Sequence, residues 1–220
     1  MDNRIKTFIN LADLFEENGF HLYLVGGSVR DYLLNISLTD MDVVTDAAPT
    51  DERKFLSNAD FTFEKYGSVK VVFQNVKFDI TTLRKESGYS DSRHPSKVEY
   101  TDKLEEDVSR RDISINALYL SKDLKVVDLV DGVTDLNNRL IRVLGNPDAR
   151  FKEDPLRIIR ILRFKFDFDL EIEENTWKSL NNNLSLIYLL NKDKVQQEIK
   201  KCHHVELLTD CLKELGVNLY

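Results

Sequence analysis

Residues 22–45 read LYLVGGSVRDYLLNISLTDMDVVT, and this stretch decides the fold of the first part of the chain. The apolar run His21–Val25 predicts a buried strand, Gly26–Gly27 ends it, and Ser28–Leu34 predicts a short helix. Glycines between a strand and a helix let backbone N–H groups approach an anion closely, so this turn indicates a phosphate site. Arg30, in the first turn of the helix, adds a full positive charge to that site. The alternative is that the glycines serve the geometry of the turn alone.

A second predicted strand, Met41–Thr45, begins beside two acidic residues. Asp40 and Asp42 are two positions apart, and side chains at that spacing on a strand point to the same face. Two such carboxylates repel each other unless a cation lies between them. Mg²⁺ binds through one or two carboxylates together with substrate phosphates. We therefore favour a metal site at Asp40 and Asp42 over a pair of solvent-facing acids at a strand end.

Composition limits the class of protein. The chain has 220 residues, of which 42% are hydrophobic and 31% charged, as is typical of a soluble globular protein. It has no apolar run of about 18 residues, so no membrane helix is predicted. The amphipathic, acid-bearing N-terminus is unlike a secretory signal, and we expect a cytoplasmic location. Cys202 and Cys211, which flank His203 and His204, match neither a disulfide framework nor a zinc motif.

Charge is unevenly distributed along the chain. The net charge of −7 argues against a surface coated for nucleic acid. Between Arg139 and Lys165, however, there are eight basic residues and three acidic ones. An anion can therefore bind in this segment while the rest of the surface stays acidic.

The first part of the chain is predicted to mix helices and strands. A helix is predicted at 4–17 from its apolar period. Two β-prone runs, 68–73 and 76–83, are joined at Gln74–Asn75 and predict an antiparallel hairpin. Residues 85–104 are polar and lack a period, which predicts a mobile loop with room for one short strand.

Two further segments complete the first part: residues 46–58 indicate a turn and a helix, while 113–119 fit either a helix or a strand. The second part is predicted to be helical from 133 to 215, with breaks near 145–147 and 181–183. The order of elements predicts an α+β chain, with a small mixed domain followed by a helical domain and a boundary near 135–150.

The stretch GGSVRDYLL…TDMDVVT resembles the nucleotidyltransferase superfamily of DNA polymerase beta type. More narrowly, it resembles the class II tRNA nucleotidyltransferases, or CCA-adding enzymes, and their bacterial poly(A) polymerase relatives. The resemblance spans about residues 20–165 and rests on ordered blocks, which are more specific together than any single motif. The later blocks are FDITTLRKESGYSDSRHP, EEDVSRRDISINALYL, DLVDGVTDLNNRLIRVLG and ARFKEDPLRIIRILRF.

The resemblance implies catalysis with two Mg²⁺ ions held by Asp40 and Asp42. One ion lowers the pKa of the attacking 3′-hydroxyl, and the other neutralises charge on the triphosphate. Asp79 is the candidate for a third carboxylate; the alternative is a strand-end acid. The resemblance also assigns the triphosphate to Gly26, Gly27 and Arg30.

The later blocks imply nucleotide recognition. Arg111 is assigned a phosphate contact, and Asp112 a hydrogen bond from a ribose hydroxyl that selects ribonucleotides. The alternative for Asp112 is an N-cap. The flexible loop of the family, thought to reshape the pocket from C to A, corresponds to 85–104 and includes Arg93-His94-Pro95.

Base choice is assigned to the block EDPLRIIRILRF. Asp154 accepts hydrogen bonds and Arg157 donates them, so the pair can read the Watson–Crick edge shared by cytosine and adenine. Guanine and uracil would leave buried groups unpaired, at a cost of about 1–3 kcal/mol per group. Arg160 and Arg163 are implied to contact the nucleotide as well. Without the other blocks, Asp154 and Arg157 would read as a helix salt bridge.

The resemblance predicts a template-independent enzyme that adds C and/or A from CTP and ATP to the 3′ end of tRNA. A catalytic head is expected at 1–138 and a helical neck at 139–220, with the family's body and tail regions apparently missing. The alternatives are a CC-adding, A-adding or small poly(A) polymerase relative, and a non-catalytic nucleotide-binding paralogue. Both acids of the Asp40/Asp42 pair are present, which disfavours the last.

Overall fold

The computed structural model describes residues 2–89 and 95–218, with the side chains of 87–89 and 95–96 left out. The chain divides into two compact units. The first comprises Met1–Glu86, Lys97–Arg111 and Ile115–Gly132, and the second is built mainly from Val133–Tyr220 together with Asp112–Ser114. No helix within the described ranges is both long and apolar enough to cross a membrane.

The elements of the first part of the chain alternate between short helices and strands. Two 3₁₀ turns, Glu64–Tyr66 and Ser114–Asn116, lie among them. In chain order the elements are α1 (Asn3–Glu17), β1 (Leu22–Val25), α2 (Gly27–Leu33), β2 (Asp42–Thr45), α3 (Pro49–Glu52), β3 (Ala59–Asp60), β4 (Ser68–Phe73), β5 (Val76–Thr82), β6 (Arg84–Tyr89), β7 (Pro95–Tyr100), α4 (Leu104–Val108), β8 (Leu118–Leu120) and β9 (Val126–Asp128).

Seven of these strands form one mixed sheet in the order β3-β4-β5-β2-β1-β8-β9. Only the central pair β2–β5 is parallel in this sheet; its other neighbouring strands are antiparallel. Helix α1 buries Phe8, Leu11 and Phe15, the apolar stripe that its period predicted. The side chain of Asp2 caps this helix by accepting a hydrogen bond from the backbone N–H of Arg4 at 2.8 Å.

The predicted hairpin at 68–83 is confirmed. Gln74 and Asn75 have φ angles of 46° and 64°, as a two-residue turn with both central residues at positive φ requires. This turn pairs Phe73 with Val76 and so sets the register of β4 against β5. The exposed and buried residues of both strands alternate, and one face of the hairpin therefore carries its polar side chains.

Several sequence expectations are corrected in this part of the chain. Residues 85–104 contain two paired strands, β6 and β7, and the start of α4, where a loop with room for one strand was expected. Strands of mostly polar sequence, such as RKESGY and PSKVEY, escape detection because they show no sustained alternation of apolar residues. The expectation for Arg93 and His94 lies outside the described residues. Residues 46–58 hold only the four-residue helix α3, and 113–119 resolve into a 3₁₀ turn and the start of β8.

The second unit is mostly helical. The expected run of helices at 133–215 is interrupted by one short parallel pair of strands, β10 with β11. Helix α7 buries Ile158, Ile161 and Leu162 in the core of this unit. Its elements are α5 (Gly132–Asn137), β10 (Leu140–Ile141), α6 (Pro147–Glu153), α7 (Leu156–Phe168), β11 (Glu171–Ile172), α8 (Glu174–Asn182), α9 (Lys192–Ile199) and α10 (Val205–Glu214), with a 3₁₀ turn at Leu184–Leu189. The mixed sheet with helices, followed by helices, confirms the α+β fold class.

Candidate active site

A row of charged side chains crosses the central strands of the first unit. Asp42 of β2 lies opposite Asp79 of β5 in the parallel register, and Asp79 lies opposite Lys70 of β4 in the antiparallel register. All three residues are exposed, while their neighbours on each strand are buried. The Nζ atom of Lys70 lies 3.3 Å from Oδ2 of Asp79. We call Asp42, Asp79 and Lys70 the carboxylate row.

Asp40 lies just before the strand that carries Asp42. Strand β2 begins at Asp42, and Asp40, Asp42 and Asp79 all line the same cavity. A side chain of α2 links the two aspartates. The Ser28 hydroxyl donates to the backbone carbonyl of Asp40 at 3.0 Å and accepts from the backbone N–H of Asp42 at 3.2 Å. This bridge holds the acidic segment beside the helix that follows the glycine turn.

The acidic groups repel one another. The pKa of the Asp42 carboxyl rises to about 6, because protein atoms crowd it and because Asp79 and Asp40 add negative charge nearby. Arg111 and Lys70 oppose this rise. The crowding is one-sided, since Asp42 remains open to solvent. A cation placed between these carboxylates would relieve the repulsion.

The carboxylates border an open cavity of about 670 Å³. Among the described residues, no group of three or more His, Cys, Asp or Glu closes into a complete set of metal ligands. Mg²⁺ commonly takes one or two carboxylates and completes its coordination with substrate phosphates. The donor set of oxygens therefore fits a cation that binds together with a nucleotide. The cavity is lined by Thr39, Asp40, Met41, Asp42, Asn58, Asp60, Lys70, Val71, Val72, Lys77, Phe78 and Asp79.

The glycine turn lies between β1 and α2, as predicted. Gly26 has a φ of 69° and serves as the N-cap of α2, a conformation that a side chain would strain. A Cβ added at Gly27 would lie 3.3 Å from Nη2 of Arg30, a tight contact with that side chain. Arg30 is buried and donates to Oδ1 of Asn116 at 2.7 Å and to Oδ1 of Asp31. Its guanidinium thus braces the turn.

Arg111 belongs to a second, buried cluster of charges in the first unit. Its Nε and Nη2 atoms donate to Oδ2 of Asp107 at 3.1 and 2.8 Å. The Tyr119 hydroxyl donates to the same carboxylate at 2.9 Å and accepts from Nε of Arg111 at 3.1 Å. Burial raises the pKa of Asp107, but Arg111 and Arg110 outweigh it and hold that pKa below its ordinary value.

The clamp on Arg111 determines where its guanidinium points. Nη1 lies 4.0 Å from the position that a Cβ on Gly26 would occupy. The charge of Arg111 also lowers the pKa of Asp42, so the guanidinium lies within electrostatic reach of the carboxylate row. The structure therefore brings the glycine turn, Arg111 and the carboxylates into one region of the first unit.

The remaining predicted residues lie in the second unit. Asp112 accepts from Nε and Nη2 of Arg160 at 2.9 and 2.6 Å and from the backbone N–H of Ile113 at 2.9 Å. Burial alone would raise its pKa, but Arg160 and Arg157 lower that pKa to about 2. Asp112 is fixed in place because its carbonyl accepts the backbone N–H of Leu144 at 3.1 Å.

Helix α7 positions the proposed base-reading residues. Asp154 precedes the helix, and its Oδ1 accepts from the backbone N–H of Leu156 at 3.1 Å. Arg157, in the first turn, is buried. Arg163 is held by Glu198 at 3.0 Å and by Asp167 at 3.2 Å. Asp154 thus accepts a hydrogen bond from the start of the helix, while Arg160 and Arg163 bind acidic side chains of their own unit.

Sequence reasoning missed several residues of the site. Ser28, Lys70, Asp107, Asn116 and Tyr119 all contact predicted residues. Lys70 could have been predicted from the sequence. A two-residue turn at Gln74–Asn75 pairs position 73 with position 76, and the same register pairs Lys70 with Asp79. The contacts of Ser28, Asn116 and Tyr119 join different elements, and the chain carries no periodic signal for such contacts.

Comparison with known proteins identifies the class. Residues 22–142 match the family model of the poly A polymerase head domain, and the chain belongs to this family. The match includes the glycine turn, the carboxylate row and the Arg111 cluster.

Relatives with curated names point to one kind of enzyme. The chain is 38% identical over 196 residues to the CCA-adding enzyme of Ligilactobacillus salivarius (strain UCC118), covering 89% of this chain and 48% of that protein. It is 39% identical over 186 residues to the CCA-adding enzyme of Staphylococcus epidermidis (strain ATCC 12228 / FDA PCI 1200), covering 84% and 46%. The chain thus spans about half the length of the curated relatives it matches.

Solved structures resemble the chain over nearly its full length. The CCA-adding enzyme of Bacillus stearothermophilus in complex with CTP has a TM-score of 0.89 at 27% identity, covering 99% of this chain and 54% of that one. A tRNA nucleotidyltransferase complexed with a primer tRNA and an incoming ATP analog has a TM-score of 0.80 at 28% identity, covering 94% and 60%. The resemblance to class II tRNA nucleotidyltransferases is confirmed.

Proposed function

We propose that this chain is a template-independent RNA nucleotidyltransferase that adds C and/or A from CTP and ATP to the 3′ end of tRNA. The observation that carries the proposal is the carboxylate row. Asp42 and Asp79 lie opposite each other on an open face, and a bound cation would relieve the repulsion between them. The names of its relatives support the same activity. Such a role belongs in the cytoplasm.

Asp40 and Asp42 are the proposed ligands of two Mg²⁺ ions, with Asp79 as the third carboxylate. When bound, divalent cations supply Lewis-acid activation of the 3′-hydroxyl and neutralise charge on the leaving pyrophosphate. The protein's part is to hold its carboxylates where the α-phosphate arrives, so that the hydroxyl attacks in line. Ser28 keeps the two aspartates at a fixed spacing through the backbone of both.

The triphosphate is proposed to lie along the glycine turn. The small residues Gly26 and Gly27 leave room for close approach of phosphate oxygens to the backbone. Arg111 supplies positive charge from a position held by Asp107 and Tyr119. Arg30 shapes the turn through Asn116 and adds its own charge.

Nucleotide choice is assigned to the second unit. Asp112, ionised and oriented by Arg160, is proposed to accept a hydrogen bond from a ribose hydroxyl. Asp154 and Arg157 are proposed to read the amine donor and ring-nitrogen acceptor that cytosine and adenine share. Arg160 and Arg163 complete the basic side of the nucleotide site. On this proposal the head extends over 1–138 and the neck over 139–220.

A product-ladder assay tests the function. The protein is incubated with tRNAs that end at the discriminator base, at C, or at CC, each with radiolabelled CTP, ATP or both, and products are resolved to one nucleotide. Addition of C, C and A in order supports the full reaction. A ladder that stops after CC, begins only at CC, or extends as poly(A) assigns one of the partial activities. Nucleotide binding without pyrophosphate release on any RNA would overturn the proposal.

A further inference from the structure

Lys70 lies in the carboxylate row, although none of the motifs includes it. Directly opposite positions on neighbouring strands bring their side chains into contact on one face. Asp79 has two such neighbours, Asp42 on β2 and Lys70 on β4. The buried residues of β4 and β5, such as Val69 and Ile80, lie on the other face, so the register directs the Lys70 ammonium toward the carboxylates.

The contact between Lys70 and Asp79 is one that can be released. The 3.3 Å separation is long for an ion pair, and both side chains are 52% exposed. Exposed pairs of this kind contribute little to stability. A lysine ammonium on its flexible stem can withdraw without disturbing the backbone. Arg111 differs, because its guanidinium is held by Asp107 and Tyr119.

We infer that Lys70 competes with the divalent cation for Asp79. Its ammonium occupies the carboxylate in the metal-free protein and withdraws when a cation arrives, so Lys70 sets the metal concentration at which the site assembles. The inference rests on the proposed function, because it takes Asp79 as a ligand of the metal site. Lys70 is thereby a positioning residue, which acts through Asp79.

Binding of Mn²⁺ alone, followed by electron paramagnetic resonance on nucleotide-free protein, tests this role without activity. Lys70→Met should tighten Mn²⁺ binding by about 3- to 10-fold, because a positive charge is removed from a half-exposed site. Lys70→Arg should stay near the wild type. Lys77→Met is the matched control, since Lys77 lines the same cavity but lies opposite Val72. In an Asp79→Asn background, Lys70→Met should change Mn²⁺ affinity by less than about twofold.

Three outcomes would overturn the inference. Mn²⁺ affinity could be unchanged or weaker in Lys70→Met; Lys77→Met could tighten it equally, which would reflect general charge; or the effect could persist in Asp79→Asn. Lys70→Gln provides a second neutral variant, and circular dichroism checks that each variant is folded. If the wild type binds Mn²⁺ but adds no nucleotide to tRNA, the proposed function fails while the Lys70 result stands. If addition succeeds and Lys70→Met changes nothing, only the role of Lys70 fails.

Discussion

Two acidic residues of this protein, Asp42 and Asp112, have opposite electrostatic environments. Crowding and neighbouring acids raise the pKa of Asp42 to about 6, whereas Arg160 and Arg157 overcome burial to lower the pKa of Asp112 to about 2. Asp42 lies on an open face with carboxylates around it, while Asp112 is bound through both oxygens. A cation would relieve the repulsion at Asp42, whereas Arg160 and Arg157 already balance the charge of Asp112.

On the proposed function, the difference separates two tasks in nucleotidyl transfer. The carboxylates proposed to hold a cation would change partners in each cycle, and their mutual repulsion is unrelieved in the free protein. Groups proposed to recognise the nucleotide need a fixed orientation, which paired and buried charges supply. The Arg111 cluster in the first unit follows the second pattern, because Asp107 and Tyr119 preset its guanidinium.

Asp42→Asn gives the largest expected effect. Loss of a cation ligand should lower nucleotide addition on the order of a thousandfold, equivalent to several kcal/mol of transition-state stabilisation. The free energy of unfolding should stay level or rise, because repulsion from Asp79 and Asp40 is removed. Single-turnover addition to tRNA and urea unfolding measure the two quantities. Normal activity would contradict the metal assignment, and a large loss of stability would contradict the comparison drawn above.

The sequence predicted the parts of this contrast that depend on local pattern. The glycine turn follows from an apolar run ended by two glycines, and the hairpin follows from Gln74–Asn75. The strand that carries Asp42 was predicted to within one residue, as Met41–Thr45 against the observed Asp42–Thr45. The pairing of Asp42 with Asp79 depends on parallel β2 and β5, which are distant in sequence.

Charge pairing was the least predictable feature of the site. Arg160 and Arg163 were expected to contact the nucleotide, and each has an acidic partner far along the chain, Asp112 for Arg160 and Glu198 for Arg163. A basic residue in a helix has many conceivable partners, and burial decides among them only once the fold is formed. The strands β6 and β7 were missed for a related reason: their sequences, RKESGY and PSKVEY, are mostly polar and show no sustained alternation of apolar residues.

Glu52 is the exception to the contrast, because it is buried and lacks a balancing charge. It is fully buried, and neither carboxyl oxygen has a hydrogen-bond partner among the described residues. Burial first, and then the charge of Asp51, raises the pKa of Glu52 from 4.5 to about 8. The folded protein therefore holds a proton that the unfolded chain releases, and stability present below pH 4.5 declines as pH rises to about 8.

Glu52→Gln should remove this dependence on pH. The variant and the wild type should be equally stable near pH 4, where both carry a neutral side chain. By pH 8 the variant should be more stable by about 4 kcal/mol, because the pKa of Glu52 is 4.5 in the unfolded chain and about 8 in the folded protein, and each unit is worth about 1.4 kcal/mol. Urea unfolding from pH 4 to pH 9 measures the difference, with the exposed Glu17→Gln as a control. Parallel profiles for wild type and variant would show that Glu52 is ionised in the folded protein.

Asp112→Ala tests the opposite case, a carboxylate whose charge is balanced. The substitution leaves Arg160 without its principal partner, and we expect a loss of about 1–3 kcal/mol in the free energy of unfolding. The loss is smaller than for a fully buried pair, because the Arg160 side chain is 35% exposed and water can solvate its charge. Asp210→Ala, which breaks an exposed pair with Lys213 in the same unit, should change stability by less than about 0.5 kcal/mol.

The same variant bears on sugar choice. If Asp112 accepts a hydrogen bond from the ribose, Asp112→Ala should also erode discrimination against dCTP and dATP. Competition between CTP and dCTP in the product ladder measures this ratio. Destabilisation with unchanged discrimination would leave Asp112 a structural partner of Arg160 alone.

Arg157→Lys separates charge from geometry, and its effect should be the smallest. Lysine keeps a positive charge near Asp112, so the pKa of that carboxyl should remain low and the fold intact. It lacks the planar fork that presents two donors in fixed directions. If Arg157 reads the base, the preference for CTP and ATP over GTP and UTP should fall about tenfold, because one hydrogen-bond match is worth about 1–1.5 kcal/mol. Equal weakening of all four nucleotides would mean that Arg157 acts through its charge. Fixed orientation in the second unit would then matter for sugar recognition by Asp112 and not for base recognition by Arg157.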